Sequence, residues 1–181
     1  MRKLQDGRLL LAVIDGLGHG SRAAEATAEF CRLFAQAEVA SPEEVIRYAH
    51  ERMRHTVGAA GIVANIDPHA KRVTYAGVGN ISFWHLQRED ASRKSSSYGI
   101  IGYHHLRLQE KSFFWEEGDR LLLYTDGIST GREKVPWLPL EPSEYSISLL
   151  KQFSNNRDDA LVLVCSLAID QEWQGIEEHR L

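Results

Sequence analysis

The chain has 181 residues, 43% of them hydrophobic and 25% charged, which is ordinary globular usage and excludes a disordered or fibrous protein. Its formal net charge of -4 leaves no basic footprint for nucleic acid. No apolar run approaches the roughly 20 residues that span a bilayer. The apolar stretch before Asp15 is also shorter than the apolar core of about 7–15 residues in a secretory leader. A cytoplasmic protein without membrane attachment is expected.

Asp6-Gly7 is a turn signal, so residues 8–14 begin as the second arm of a hairpin whose first arm is short. Residues 9–20 read LLLAVIDGLGHG: a continuous apolar run of strand length stops at Asp15, and Gly16, Gly18 and Gly20 follow. Apolar residues then recur at helical spacing over 21–37, with Ser21 in capping position. Ser41-Pro42-Glu43-Glu44 predicts a second helix, with serine as cap, proline first and Glu44 completing a capping box. Strands follow at 58–66, 72–78 and 81–86, read as an antiparallel meander. Residues 87–98 are polar and read as a mobile loop.

Residues 105–115 alternate weakly, and 121–125 form another buried strand that ends at Asp126-Gly127. Pro136, Pro139 and Pro142 make residues 127–144 an irregular excursion. A helix over 145–153, the acidic pair Asp158-Asp159 and a last apolar strand over 160–169 complete the pattern. Residues 1–170 read as one domain and 171–181 as a polar C-terminal tail. Many strands, two adjacent helices and one later helix indicate an α+β fold. Cys31 and Cys165 lie in apolar patterns without ligand spacing and read as buried free thiols.

Asp15, Asp126 and Asp158 (with Asp159) each flank a buried strand. A lone Asp-Gly after a strand is a turn by Asx chemistry. Carboxylates gathered at one sheet edge would instead repel one another unless a cation neutralised them. Oxygen donors of this kind select hard ions, Mg2+ or Mn2+, over zinc. Gly16 can add a backbone carbonyl, because a side chain there would crowd an ion. Two such ions can activate a water toward a phosphoryl group. A dinucleotide-binding turn is the rival reading of the first motif. It places Asp15 beside a pyrophosphate and lacks the following strand with its ribose-binding acid. His19 can shuttle a proton or hold the glycine-rich loop by a hydrogen bond. Trp84, Trp115, Trp137 and Trp173 read as packing or surface residues.

Val13-Ile14-Asp15-Gly16-Leu17-Gly18-His19-Gly20, Gly77-Val78-Gly79-Asn80, Tyr124-Thr125-Asp126-Gly127-Ile128 and Asp158-Asp159-Ala160-Leu161-Val162 resemble the SpoIIE-type branch of the metal-dependent type 2C serine/threonine phosphatases. The segment from Gly99 to Gly102 makes the chain most similar to the RsbX-like phosphatases of the stressosome. The resemblance implies a layered α-β-β-α sandwich of two mainly antiparallel sheets flanked by helices. It implies a phosphoserine/phosphothreonine protein phosphatase, catalytic through Asp15, Asp126 and Asp158. The implied ligands of two Mn2+ or Mg2+ ions are Asp15, Gly16, Asp126, Asp158 and Asp159.

The implied partners are phosphorylated stressosome scaffold or anti-sigma-antagonist type proteins, met through residues 87–98 and 131–142. Three departures stand out. A Gly-Asp strand usual before the first motif is absent and Asp6, in a turn, is a poor substitute, so one metal site is expected to be weakened. Asn80 stands where larger relatives carry Asp, and Leu161 replaces a common Thr or Ser. The first departure motivates the alternative of a catalytically weak, phosphatase-like protein-binding module.

Overall fold

A computed structural model describes residues 1–130, 135, 137–155, 159–169 and 179–180. The strands are β1 (Arg2–Lys3), β2 (Leu9–Gly16), β3 (Ala59–Asp67), β4 (Arg72–Val78), β5 (Ser82–Leu86), β6 (Ala91–Lys94), β7 (Lys111–Phe114), β8 (Arg120–Tyr124), β9 (Leu161–Ser166) and β10 (His179–Arg180). The helices are α1 (Ser21–Gln36), α2 (Pro42–Arg52) and α3 (Pro142–Phe153). All strand pairs within the two sheets are antiparallel, in the orders β1-β2-β3-β4-β7 and β10-β9-β8-β5-β6. Two antiparallel sheets with helices make the α+β protein expected from the element pattern. Tertiary contacts divide the chain into two compact units, one per sheet: Met1–Ile81 with Ser96–Phe114, and Ser82–Ser95 with Trp115–Leu181.

In the first unit, α1 and α2 cover one face of the sheet. Leu10 of β2 joins Phe30, Leu33, Ile46, Met53, Val63 and Val78 in one buried cluster, with Ala12 and Ile14 packed against it. The period of two along a strand therefore turns Leu10, Ala12, Ile14 and Gly16 toward the helices. Leu9, Leu11 and Val13 point the other way and are buried as well. A strand buried on both faces has no polar alternation, which is why 9–14 reads as a continuous apolar run. Arg2 of β1 ties the C-terminal end of α1 to this sheet, donating to the carbonyls of Phe34, Ala37 and Val39.

The cap of α2 is more elaborate than its sequence suggests. Ser41 Oγ accepts from Glu44 N (3.3 Å) and donates to Glu110 Oε2 (2.7 Å), which also accepts from Glu43 N (3.2 Å). A carboxylate far along the chain thus joins the serine in serving the orphan N–H groups. The α1 start differs from expectation too: Gly20, at φ 79°, is the cap residue, and Ser21 is the first helical residue.

The meander does not continue past β4. Gly79, at φ 87°, turns the chain, and its N–H donates to Ser97 O at 3.0 Å while Ser97 N donates to Gly77 O at 2.8 Å. Backbone around Ser97 therefore occupies the position beside the end of β4, and β7 pairs with the rest of it. β5 belongs to the second sheet, pairing with β6 and β8. Residues 87–98, expected as a loop, contain β6. There the polar side chains Ser92, Arg93 and Lys94 lie on an edge strand, where alternation need not be apolar.

In the second unit, α3 packs on β9, and Tyr145, Leu149 and Leu150 are buried with Leu122, Tyr124, Val162 and Val164. The helix starts at Pro142, inside the expected excursion, because proline suits a first helical turn. His179–Arg180 pairs with Leu161–Val162 in β9. Cys165 is buried as expected and burial pushes its thiol up to about 12, whereas Cys31 is exposed on α1 rather than buried. Among the described residues, no helix is long and apolar enough to cross a membrane.

Candidate metal centre

In the first unit, Asp15 is half-buried at the end of β2, opposite Ala60 of β3. It continues the face of Leu9, Leu11 and Val13, away from the helices. Gly16 faces α1, and a Cβ added to it would land on the carbonyl of Ala23. The glycine is thus required by the closeness of the helix, a reason distinct from the room for an ion inferred from sequence. Ala59 exchanges both backbone groups with Ile101 (3.1 and 2.9 Å). In an antiparallel ladder this directs the N–H and carbonyl of its partner Gly16 away from β3. β1 pairs only with Leu9 and Leu10, well short of that position.

At the start of the loop after Gly16, Leu17 N donates to Gly58 O at 2.9 Å. Leu17 is 50% exposed, and His19 is exposed between Gly18 and Gly20, both of which have positive φ. Asp6 is engaged in its own turn: Arg8 donates to its Oδ2 through Nε (2.8 Å) and Nη2 (2.6 Å). That guanidinium holds the Asp6 carboxyl below the usual carboxylate range.

In the second unit, Asp126 follows β8 and Asp159 precedes β9, both exposed. A Cβ on Gly127 would land on the Asp159 carbonyl, so this turn and the entry to β9 lie in backbone contact. Thr125 and Asn155 brace the junction. Thr125 Oγ1 accepts from Leu161 N (3.0 Å) and lies 3.4 Å from Asp159 O as a donor. Asn155 donates from Nδ2 to Asp126 O (3.2 Å) and from its backbone N to Gly127 O (3.0 Å). Neither brace is a functional residue in the sequence reading, because the partners of both lie 29 to 36 residues away along the chain.

Asp158 lies outside the described residues, as do residues 131–134 and 136 of the expected recognition excursion. Among the described residues, no three His, Cys, Asp or Glu side chains form a group able to hold a metal. Of the tryptophans, Trp84 donates to Tyr124 OH (3.1 Å), Trp115 is buried, and Trp137 stacks with Arg120 at 4.9 Å. Trp173 is outside the described residues.

Within each unit the donors are of the kind a hard divalent ion takes: in the second, the exposed carboxylates of Asp126 and Asp159 on adjoining backbone; in the first, the Gly16 carbonyl, not committed to β3.

These features belong to a chain of the SpoIIE family: the family model described as Stage II sporulation protein E (SpoIIE) matches residues 5–167. More particularly, the chain is 24% identical over 163 residues to the phosphoserine phosphatase RsbX of Bacillus subtilis (strain 168), across 90% of this chain and 82% of that protein. A crystal structure of RsbX in complex with magnesium superposes with a TM-score of 0.75 at 25% identity, covering 90% of this chain and 82% of that one. A chain from a structure described as "The bacterial stressosome: a modular system that has been adapted to control secondary messenger signaling" gives a TM-score of 0.78 at 27% identity, covering 87% of this chain and 84% of its own. The Mycobacterium tuberculosis serine/threonine phosphatase PstP/Ppp shares the fold, with a TM-score of 0.74 at 15% identity over 92% of this chain and 94% of its own.

Proposed function

We propose that this chain is a Mn2+- or Mg2+-dependent phosphoserine/phosphothreonine protein phosphatase of a bacterial stress-signalling pathway, working in the cytoplasm. Residues 1–170 act as one catalytic domain, with 171–181 appended. The observation that carries this reading is the repeated strand-Asp-Gly turn, each glycine wedged against the backbone of a neighbouring element, within a chain of the SpoIIE family. RsbX, which the chain resembles, is named as a phosphoserine phosphatase and has been solved with magnesium. Similarity to a stressosome chain supports phosphorylated stressosome scaffold or anti-sigma-antagonist type proteins as substrates, rather than nucleic acid or membranes.

Asp15, Gly16 (through its carbonyl), Asp126, Asp158 and Asp159 hold two ions. When bound, such a pair activates water and offsets charge on the phosphoryl oxygens. Thr125 and Asn155 fix the backbone from which Asp126 and Asp159 extend. Asp6, engaged by Arg8 in its own turn, is not among these ligands. Calorimetric titration with Mn2+ tests this assignment: two binding events are expected, and both weaken in Asp126→Asn. Heat of binding that is absent, or indifferent to Asp126→Asn, contradicts it.

A further inference from the structure

In the first unit a groove of about 410 Å3 runs beside α1. One wall carries Arg22, Glu25, Glu29 and Arg32, which recur at helical spacing and share a face. The other wall is the connection from α2 to β3, including His55 and Val57. Both walls are joined to the Asp15 edge. Gly16 abuts the carbonyl of Ala23, directly after Arg22, and Gly58, directly after Val57, accepts from Leu17 N at 2.9 Å. The Arg22 end of the groove therefore adjoins, one residue along the chain on each wall, the backbone packed against the turn that carries Asp15 and Gly16.

Charge is unevenly distributed along it. Glu29 and Arg32 neutralise each other through two hydrogen bonds of 2.7 and 2.8 Å, and Arg32 also donates to Gln36 (2.8 Å). Arg22 and Glu25 are both exposed, and among the described residues neither has an ion-pair partner. They lie three residues apart, about 4.5 Å along the helix axis. An extended peptide presents same-face side chains at about 6.6 Å, a difference that long side chains absorb.

We propose that this groove binds an extended segment of the protein substrate next to its phosphorylated residue. An acidic side chain of that segment meets Arg22, and a basic one two residues further from the phosphorylated residue meets Glu25. The proposal rests on the phosphatase reading above and adds the charge order of the sequence it selects. Exposed ion pairs contribute little each, so the selection is modest, about three- to tenfold.

The test uses p-nitrophenyl phosphate and synthetic phosphoserine peptides with Asp-x-Lys, Lys-x-Asp or Ala-x-Ala reading outward from the phosphoserine, on either side of it. The unaltered protein in Mn2+ is expected to favour an Asp-x-Lys peptide in kcat/KM, mainly through KM. The charge swap Arg22→Glu with Glu25→Arg reverses that order and leaves p-nitrophenyl phosphate hydrolysis and Tm unchanged. Ala28→Trp, which fills the groove, raises KM for every peptide and leaves the small ester unaffected. An order that the swap does not reverse, or a small-ester rate that falls in step with the peptides, overturns the groove. Loss of all hydrolysis by the unaltered protein overturns the phosphatase reading itself, and the groove proposal with it.

Discussion

The two strand-Asp-Gly turns look alike in sequence and are built differently. After β2, Gly16 admits the backbone of helix α1, and the loop beyond it is exposed and fastened by Leu17 N to Gly58 O. After β8, Gly127 admits the entering strand, and the side chains of Thr125 and Asn155 lock the turn to both neighbours. Both turns are tied to their neighbours through backbone hydrogen bonds, and the second adds side-chain hydrogen bonds from Thr125 and Asn155. In both, the residue after the aspartate must be glycine for packing, so the Asp-Gly pair joins an acidic side chain to a steric requirement in one dipeptide.

The largest effect is expected at Asp126, the proposed ligand. Asp126→Asn preserves shape and removes the charge, so hydrolysis of a phosphate ester should fall by orders of magnitude while the circular dichroism spectrum is unchanged. Next come the glycines: Gly16→Ala and Gly127→Ala each place a methyl group on a carbonyl and should cost about 1–3 kcal/mol in urea unfolding. Thr125→Val separates the two turns. It leaves the Leu161 N–H without its partner, at a cost of about 1–3 kcal/mol, and should loosen the Asp126 turn without touching Gly16.

Much of this comparison is legible in the sequence. The continuous apolar runs ending in Asp15 and Asp126 mark buried strands, because such strands need no polar face. The helix start at Ser41-Pro42 is visible because its cap is local. What escapes is long-range. Glu110 reaches the α2 cap across the fold, and Ser97 displaces the meander from β4; neither leaves a local pattern. Thr125 and Asn155 were missed as braces for the same reason, since their partners are fixed by how β8, β9 and the end of α3 meet. Cys31 is exposed because it shares the outer face of α1 with the exposed Ala24, Ala28 and Ala35, whose helical spacing reads in the sequence as an apolar stripe.

A smaller effect concerns pH. His50 accepts from Gly102 N at 3.1 Å, and His85 Nε2 lies 2.7 Å from Asp119 Oδ2. Burial lowers both imidazole pKa values below the ordinary 6.5, although the nearby Asp119 opposes the shift at His85. The unfolded chain then binds more protons than the folded one between the lowered values and 6.5, so stability falls as pH drops through that window and is fully present above it. Urea midpoints at pH 7.5 and 5.5 should show the loss, and His50→Gln should reduce it. The smallest effect is expected for Cys31→Ser, within about 0.5 kcal/mol, because the thiol is exposed.

The most direct measurement is release of inorganic phosphate from a phosphoserine peptide by the metal-stripped protein, with and without added Mn2+. We expect release only when the ion is restored, with Asp126→Asn inactive under both conditions. Equal release in the presence of chelator, or full activity of Asp126→Asn, would contradict a metal-dependent phosphatase built on these aspartates.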